Sequence, residues 1–351
     1  MDKIFTASYL RAQCTAILLA VGSSRDEAEK VATNLVMANL SSHDSHGVGM
    51  LPRYVAAVLE GGLTPNARVK TLLDICSMLS LNGQRGFGQV IGEQAMVMGM
   101  ARAKAHGSCI MTLAESHHLG RIGHFAEIAV AEGLVSLHFV NAMTRPVVAP
   151  WGGSDGRYGT NPCCIGIPLK GRSPFILDFA TSRVAQGKMR VAHNQGKTVA
   201  PGLLIDEQGK ATTNPGVVVV PQTNGLWGAL TAFGEHKGYG VAIACELLGG
   251  ALTGGGTLRQ PTVAGRAVLN GMLTILIDPA KLGTQAAFED ESIAFVDWLK
   301  QSPPAEGHDA VQIAGEPELK ARIARERDGI EIDASTWAEI VEAGVKVGVI
   351  V

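Results

Sequence analysis

Each thing this 351-residue sequence lacks removes a class of function. Neither charge is in excess: 30 Lys and Arg stand against 32 Asp and Glu, a formal charge of −2. No basic stripe interleaved with aromatics marks a nucleic-acid surface, and no acidic tail marks a basic partner. No apolar run approaches the length that crosses a bilayer; Ala16 to Val21 is typical. The opening MDKIFTASYLRAQ lacks the unbroken apolar stretch of a secretory leader. The six cysteines (Cys14, Cys76, Cys109, Cys163, Cys164, Cys245) lack paired metal-type spacing, so reduced core thiols in a cytoplasmic protein are expected. Adjacent Cys163 and Cys164 fall in a strand-like run, where alternate faces separate their side chains. HExxH is missing, as is any carboxylate-rich ligand set. His43 with His46, and His117 and His118 with His124, are close without ligand spacing, so no metal is expected. No GxSxG elbow announces a serine hydrolase.

The composition, 46% hydrophobic and 18% charged, is that of a globular chain long enough for two or three parts. Ser41 to Tyr54 (SSHDSHGVGMLPRY) gathers two histidines, an aspartate and three serines between two helix-like segments. Such a set can hold and release a proton near neutral pH. An N-cap cluster starting the next helix explains the same residues.

The spacing predicts a helix over 7–20. Ser24 to Glu27 has the form of a capping box, opening a second helix with Ala28, Val31, Leu35 and Ala38 on one face. A third carries Leu51, Tyr54, Val55, Val58 and Leu59 and stops at Gly61-Gly62. From about residue 68, strand-like runs (77–81, 108–113, 135–140, 163–168, 175–177, 272–277) alternate with helical ones (89–104, 121–132). Residues 236–252 read as a buried helix with close-packing glycines. Beyond about 287 the chain is helical and more polar. Three parts are expected: 1–67, helical; 68–284, α/β; and 285–351, helical and packing back on the first.

NGQRGFGQVIG (82–92) follows a strand-like run and opens a helix. Its glycines are spaced GxGxxxG, one residue too long for the dinucleotide fingerprint, and no acidic residue ends a second strand about 20 residues on. A plain strand-to-helix turn accounts for Gly86, Gly88 and Gly92.

Eight stretches together resemble one family: DSHGVGMLPRY (44–54), SHHLGRIGHFAE (116–127), VAPWGG (148–153), YGTNP (158–162), LDFATSRVAQGK (177–188), TTNP (212–215), EHKGYG (235–240) and AGEPE (314–318). The family is the malate/L-lactate dehydrogenases that are unrelated to the Rossmann-fold enzymes of similar name. It also holds ureidoglycolate and sulfolactate dehydrogenases, diketogulonate reductase and the piperideine-carboxylate reductases. The resemblance implies an α/β fold: a non-Rossmann cofactor-binding sheet domain combined with a helical domain built from N- and C-terminal segments. It implies a homodimer that uses NAD(H) or NADP(H) to interconvert 2-oxo and 2-hydroxy acids, or to reduce a cyclic imine.

The resemblance also assigns residues. His46 is the proton donor, with Ser45 orienting it and His118 the second candidate. Arg53, Tyr54 and Thr160 would touch substrate. The cofactor would lie along His46, Gly120, Arg121, Ile122, Asp178, Phe179, Ala180, Thr181, Ser182, His236, Lys237, Asn270, Gly315 and Glu316. Exposed amides and hydroxyls at 178–182, and a helix start after 120–122, would suit a phosphate. Two departures stand out. Met50 replaces an Arg that binds a substrate acid group in many relatives, with Arg53, Arg121 and Arg145 as substitutes. Ala314 replaces the proline of a Pro-Gly-Glu turn.

Overall fold

The computed structural model describes residues 2–260 and 267–351. The chain begins β1 (Lys3–Phe5), α1 (Ala7–Ala20), α2 (Arg25–Leu40), α3 (Leu51–Leu59), β2 (Lys70–Ile75), β3 (Met78–Asn82), α4 (Gly88–His106) and β4 (Ser108–His117). It continues α5 (Gly123–Ala131), β5 (Val135–Met143), β6 (Cys163–Ile167), β7 (Phe175–Phe179), α6 (Gln186–Asn194), β8 (Leu204–Ile205), β9 (Ala211–Thr212) and β10 (Ala229–Leu230). It ends α7 (Glu235–Cys245), β11 (Leu269–Ile277), α8 (Gln285–Lys300), α9 (Glu316–Asp328), β12 (Ile330–Ile332) and α10 (Ala334–Lys346).

One core joins the two ends of the chain. Leu10, Ile17, Val31, Leu35, Leu51 and Tyr54 from α1–α3 pack with Trp337 and Ile340 of α10, and β1 pairs antiparallel with β12. Ser24 caps α2 as its pattern predicts, Oγ accepting the Glu27 N–H at 3.3 Å. The reciprocal half of the box comes from elsewhere. Asn66 Oδ1 accepts the Ser24 N–H, and the Glu27 carboxylate takes the Asn66 N–H and the Ser23 hydroxyl. A loop is thereby pinned to the helix start.

The central sheet has seven strands in the order β2-β3-β4-β11-β5-β6-β7. Every pairing is antiparallel except β3 with β4. That excludes a doubly wound parallel sheet, whose strands need crossover helices. One face is buried under α4 and α5, where Leu79, Leu81, Met111, Leu113 and Met272 meet Ile91, Met96, Phe125 and Ala129. Across the other face runs one unbroken apolar row, Ile75, Met78, Ile110, Ile275, Leu137, Ile165 and Leu177, each opposite the next in register. Ile75, Met78 and Ile110 are about half exposed. A third, small cluster gathers Val148, Tyr158, Met189, Leu204, Val217 and Leu230 around β8–β10 and α6.

Two expectations need correction. Cys76 is not a core residue: it sits exposed in the tight turn between β2 and β3, at φ +48°. The other five cysteines are buried. The 236–252 segment is not a buried helix either. It is α7 followed by a π-turn over Glu246–Ala251, and Ile243, Leu247 and Leu252 remain exposed.

Candidate active site

The turn after α2 is fastened before any reactive group is considered. Asn39 Oδ1 accepts the Val48 N–H at 2.8 Å, and its Nδ2 donates to Asp44 at 2.7 Å. Arg325 of α9 donates to both Asp44 oxygens. A Cβ at Gly47 would lie 2.1 Å from Asn39 Oδ1, so only glycine lets the turn close. Asp44 is thus a fastening, and His46 ends a rigid 3-10 turn, Asp44–His46.

Two imidazoles face each other there. The His46 and His118 rings lie 5.5 Å apart and 13° from parallel. Each is anchored at Nδ1: His46 by Ser45 Oγ at 3.0 Å, His118 by Tyr54 Oη at 2.7 Å. Gln89 Nε2 donates to Tyr54 Oη at 2.8 Å. Burial, then the charges of His43 and Arg121, lowers the His46 pKa to about 4. Burial, then His46, His117 and Arg53, holds His118 well below its ordinary value. Both rings are therefore neutral at pH 7, each with Nε2 unbonded among the described residues. Burial raises the Tyr54 pKa, so its hydroxyl keeps its proton.

At His43, which leads into the turn that carries His46, lies a cavity of about 100 Å³ lined by His43, Arg121, Glu127, Ile176, Asp178, Gly315 and Arg322, among others. Arg121 is 3% exposed and pairs with Glu127. Arg322 bridges Glu127 and the Ser41 hydroxyl. Burial opposes the Glu127 charge, but the two guanidinium groups outweigh it and keep its pKa low. Asp178 Oδ2 accepts the Gly123 N–H at 2.7 Å, and burial raises its pKa against that bond. Asn270 Oδ1 accepts the Leu119 N–H and its Nδ2 donates to Asn141 O, both at 2.8 Å, holding the loop that carries His118. Gly315 caps α9 at φ +98°, and the preceding Ala314 carbonyl accepts the Ile176 N–H at 3.1 Å. The turn keeps its backbone contact to the sheet without the proline.

The sequence matches malate/L-lactate dehydrogenase over residues 5–341. It is 43% identical over 349 residues to hydroxycarboxylate dehydrogenase B of Escherichia coli K12, covering 98% of this chain and 94% of that protein. The chain belongs to the malate/L-lactate dehydrogenase family. A solved Escherichia coli structure, described as a candidate malate/lactate dehydrogenase, superposes with a TM-score of 0.92 at 42% identity, covering 99% of this chain and 96% of that one. The Δ1-piperideine-2-carboxylate reductase of Pseudomonas syringae superposes with a TM-score of 0.83 at 27% identity, covering 97% and 99%.

In this family member the structure draws Ser45, His46, Tyr54 and His118 together. Tyr54 is fully buried, so its route to a substrate runs through His118. Arg53 acts electrostatically on both His117 and His118. Arg145 is engaged elsewhere, its guanidinium 3.5 Å above the Trp227 ring and donating to Val218 O. Arg121, Asp178 and Gly315 meet around the cavity, Gly120 lies instead against Asn34 and Gln89, and Ile122 is the N-cap of α5.

Within 178–182 the two hydroxyls already donate inside the chain. The Thr181 amide and hydroxyl bond to Thr160 O, and the hydroxyl also reaches Asn161 O. The Ser182 hydroxyl donates to Val184 O. The anion at the start of α5 is the chain's own Asp178. Phe179 packs edge-on against Phe233, which leads into α7. His236 and Lys237 are exposed at the start of α7, His236 against Trp151. No described contact ties them to the imidazole pair. Glu316 accepts the Ile313 N–H and pairs with Lys300. Sequence reasoning missed Gln89, Arg322 and Arg325, whose partners lie far away along the chain. It also missed α6, whose Gly187 lies against Ser45.

Proposed function

We propose that the protein interconverts 2-oxo acids and 2-hydroxy acids with a nicotinamide dinucleotide, His46 exchanging the proton at the substrate oxygen. The observation that carries this is the imidazole pair: two neutral, nearly parallel rings, each held at Nδ1 and each presenting Nε2. A bound NADH or NADPH supplies the hydride equivalent. As a free base His46 takes the hydroxyl proton during oxidation; during reduction the ring must first be loaded with a proton from solvent and then gives it to the oxygen, and Ser45 fixes the ring. His118 is the second proton-handling group. Arg53, whose charge reaches both neighbouring histidines, takes the role of the absent arginine at Met50 and holds the substrate carboxylate. Thr160, whose carbonyl accepts from Thr181, would be a second contact to the substrate.

The cavity has room for one small part of a dinucleotide. Asp178 lines it with only its Oδ2 taken up, by the Gly123 N–H, among the described residues; the carboxylate would accept from a sugar hydroxyl, and Arg121 supplies positive charge. Residues 120–122, 178–182, 270 and 315–316 would hold the cofactor, with His236 and Lys237 at its rim.

The test is absorbance of NADH and of NADPH with pyruvate, hydroxypyruvate, phenylpyruvate and piperideine-2-carboxylate. Consumption with oxo acids is expected. Consumption only with the imine selects the cyclic-imine reductase reading. No consumption with any of them, in either cofactor, overturns the proposal.

We also propose a homodimer built on the partly exposed sheet face, one end of which the α7 region already covers. Seven apolar side chains in one row, with Ile243 and Leu247 of the α7 region exposed as well, make a surface that a second copy would cover. The Ile110→Glu variant, at a site already half exposed in the single chain, is expected to halve the mass measured by light scattering while the chain stays folded. A wild-type monomer would refute the assignment. No described helix is long and apolar enough to cross a membrane, and buried free thiols suit a cytoplasmic location.

A further inference from the structure

The glycine-rich run 82–92 follows β3 and opens α4, as a phosphate loop would, yet its amides face inward. Gly83 N–H donates to Ala114 O, Arg85 N–H to Glu115 O and Gly86 N–H to Gly83 O. What the glycines provide is proximity. A Cβ on Gly88 would lie 2.3 Å from His118 O and 2.4 Å from His117 O. Only with glycine there does the first turn of α4 press against the backbone that carries His118. That contact delivers the next residue, Gln89, 1% exposed, to the Tyr54 hydroxyl.

We propose that Gln89 is a positioning residue that sets, through Tyr54, which nitrogen of His118 carries the proton. A neutral tyrosine hydroxyl has one proton and two neighbours here. The Gln89 amide N–H can only donate, so Tyr54 Oη accepts from it and directs its own proton to His118 Nδ1. Nδ1 is thereby an acceptor, and the neutral ring carries its proton on Nε2, the nitrogen left for substrate. The same arrangement disfavours the imidazolium, whose Nδ1–H would meet the Tyr54 O–H head-on. The charged or titratable groups facing His118 are His46 from the 3-10 turn, His117 from β4, and Arg53 and Tyr54 from α3. None of them is an acceptor that would reverse the chain of hydrogen bonds; the one group that would is Gln89's own Oε1, buried without a partner among the described residues, and it meets Tyr54 only if the amide turns over.

The inference rests on the proposed proton-handling role of His118 for its kinetic consequences only. The direct test is the ¹⁵N NMR spectrum of histidine-labelled wild-type protein at pH 7. An unprotonated Nδ1 and a protonated Nε2 at His118 are expected, and a protonated Nδ1 overturns the inference, whatever the substrate proves to be. Two variants then test the consequence. Gln89→Met keeps the volume and loses the donor; it should lower kcat about tenfold with KM nearly unchanged, as loss of an orienting partner does. Gln89→Glu replaces a donor by an acceptor, takes the Tyr54 proton and turns Oη towards a protonated Nδ1. It should move the acidic limb of the kcat/KM profile up by about one pH unit or more. Wild-type kcat and pH profiles in both variants would reduce Gln89 to packing. Failure of the hydride reading shows differently, as a wild-type protein that consumes neither cofactor.

Discussion

Replacing His46 with alanine is expected to lower turnover by about three orders of magnitude, the usual weight of a positioned acid–base group. The fold should survive. The turn that carries His46 is held by Asn39, Asp44 and Arg325, and among the described residues the ring itself bonds only to Ser45. Dinucleotide binding should persist as well, because the cavity at Asp178, Arg121 and Gly315 does not contain the ring. The pH dependence carries the same signature. With the His46 pKa lowered to about 4, chiefly by burial, the ring is already a free base at neutral pH. In wild-type protein kcat/KM for oxidation of a 2-hydroxy acid should stay flat from pH 7 down towards 5, then fall as the ring takes a proton. The alanine variant should lose that limb along with the rate. Steady-state kinetics over pH 4–8 checks both, and unchanged turnover in the variant would remove His46 from the mechanism.

The second large effect is on stability. Glu127→Ala should destabilise the protein by about 3 kcal/mol, because two guanidinium groups lose their shared carboxylate. Arg121 is almost wholly buried; Arg322 is about a quarter exposed, which places the figure at the low end for a buried pair. The loss reaches beyond one pair. Arg322 ties α9 to Ser41 at the end of α2, and Arg121 lies beside Asp178, so one carboxylate joins the helical part to the sheet behind the site. A fall in melting temperature of roughly 5–10 °C, with weakened dinucleotide binding, is expected. A melting temperature within a degree of wild type would show that water or a neighbouring acid replaces Glu127.

Elements marked by their own residue pattern were legible from the amino acids. The helices α1, α2 and α3 announce themselves by apolar spacing, and β4, β5 and β11 by short β-branched runs. The strand β2 does not: all six of its residues, Lys70–Ile75, are exposed, so no burial pattern marks it. The pairing of β1 with β12 joins residues from opposite ends of the chain, and β8–β10 are two residues each. At the site, His46 and His118 stand in motifs, and the family resemblance points to both. Gln89 and Arg322 sit on helices that read as ordinary, and only the fold brings them to Tyr54 and Glu127. The 178–182 stretch shows the opposite case. Its hydroxyls have the right chemistry for an anion, but the chain folds back and consumes them at Thr160, Asn161 and Val184.

The most direct measurement is a crystal structure of the protein with NADH and an unreactive 2-oxo acid mimic. The account places the mimic's oxygen within about 3.2 Å of His46 Nε2, hydrogen-bond reach for proton transfer, with its carboxylate at Arg53 and the nicotinamide ring against the carbon. A mimic bound beside the nicotinamide but out of reach of both imidazoles, with the His46 ring open to bulk water, would contradict it.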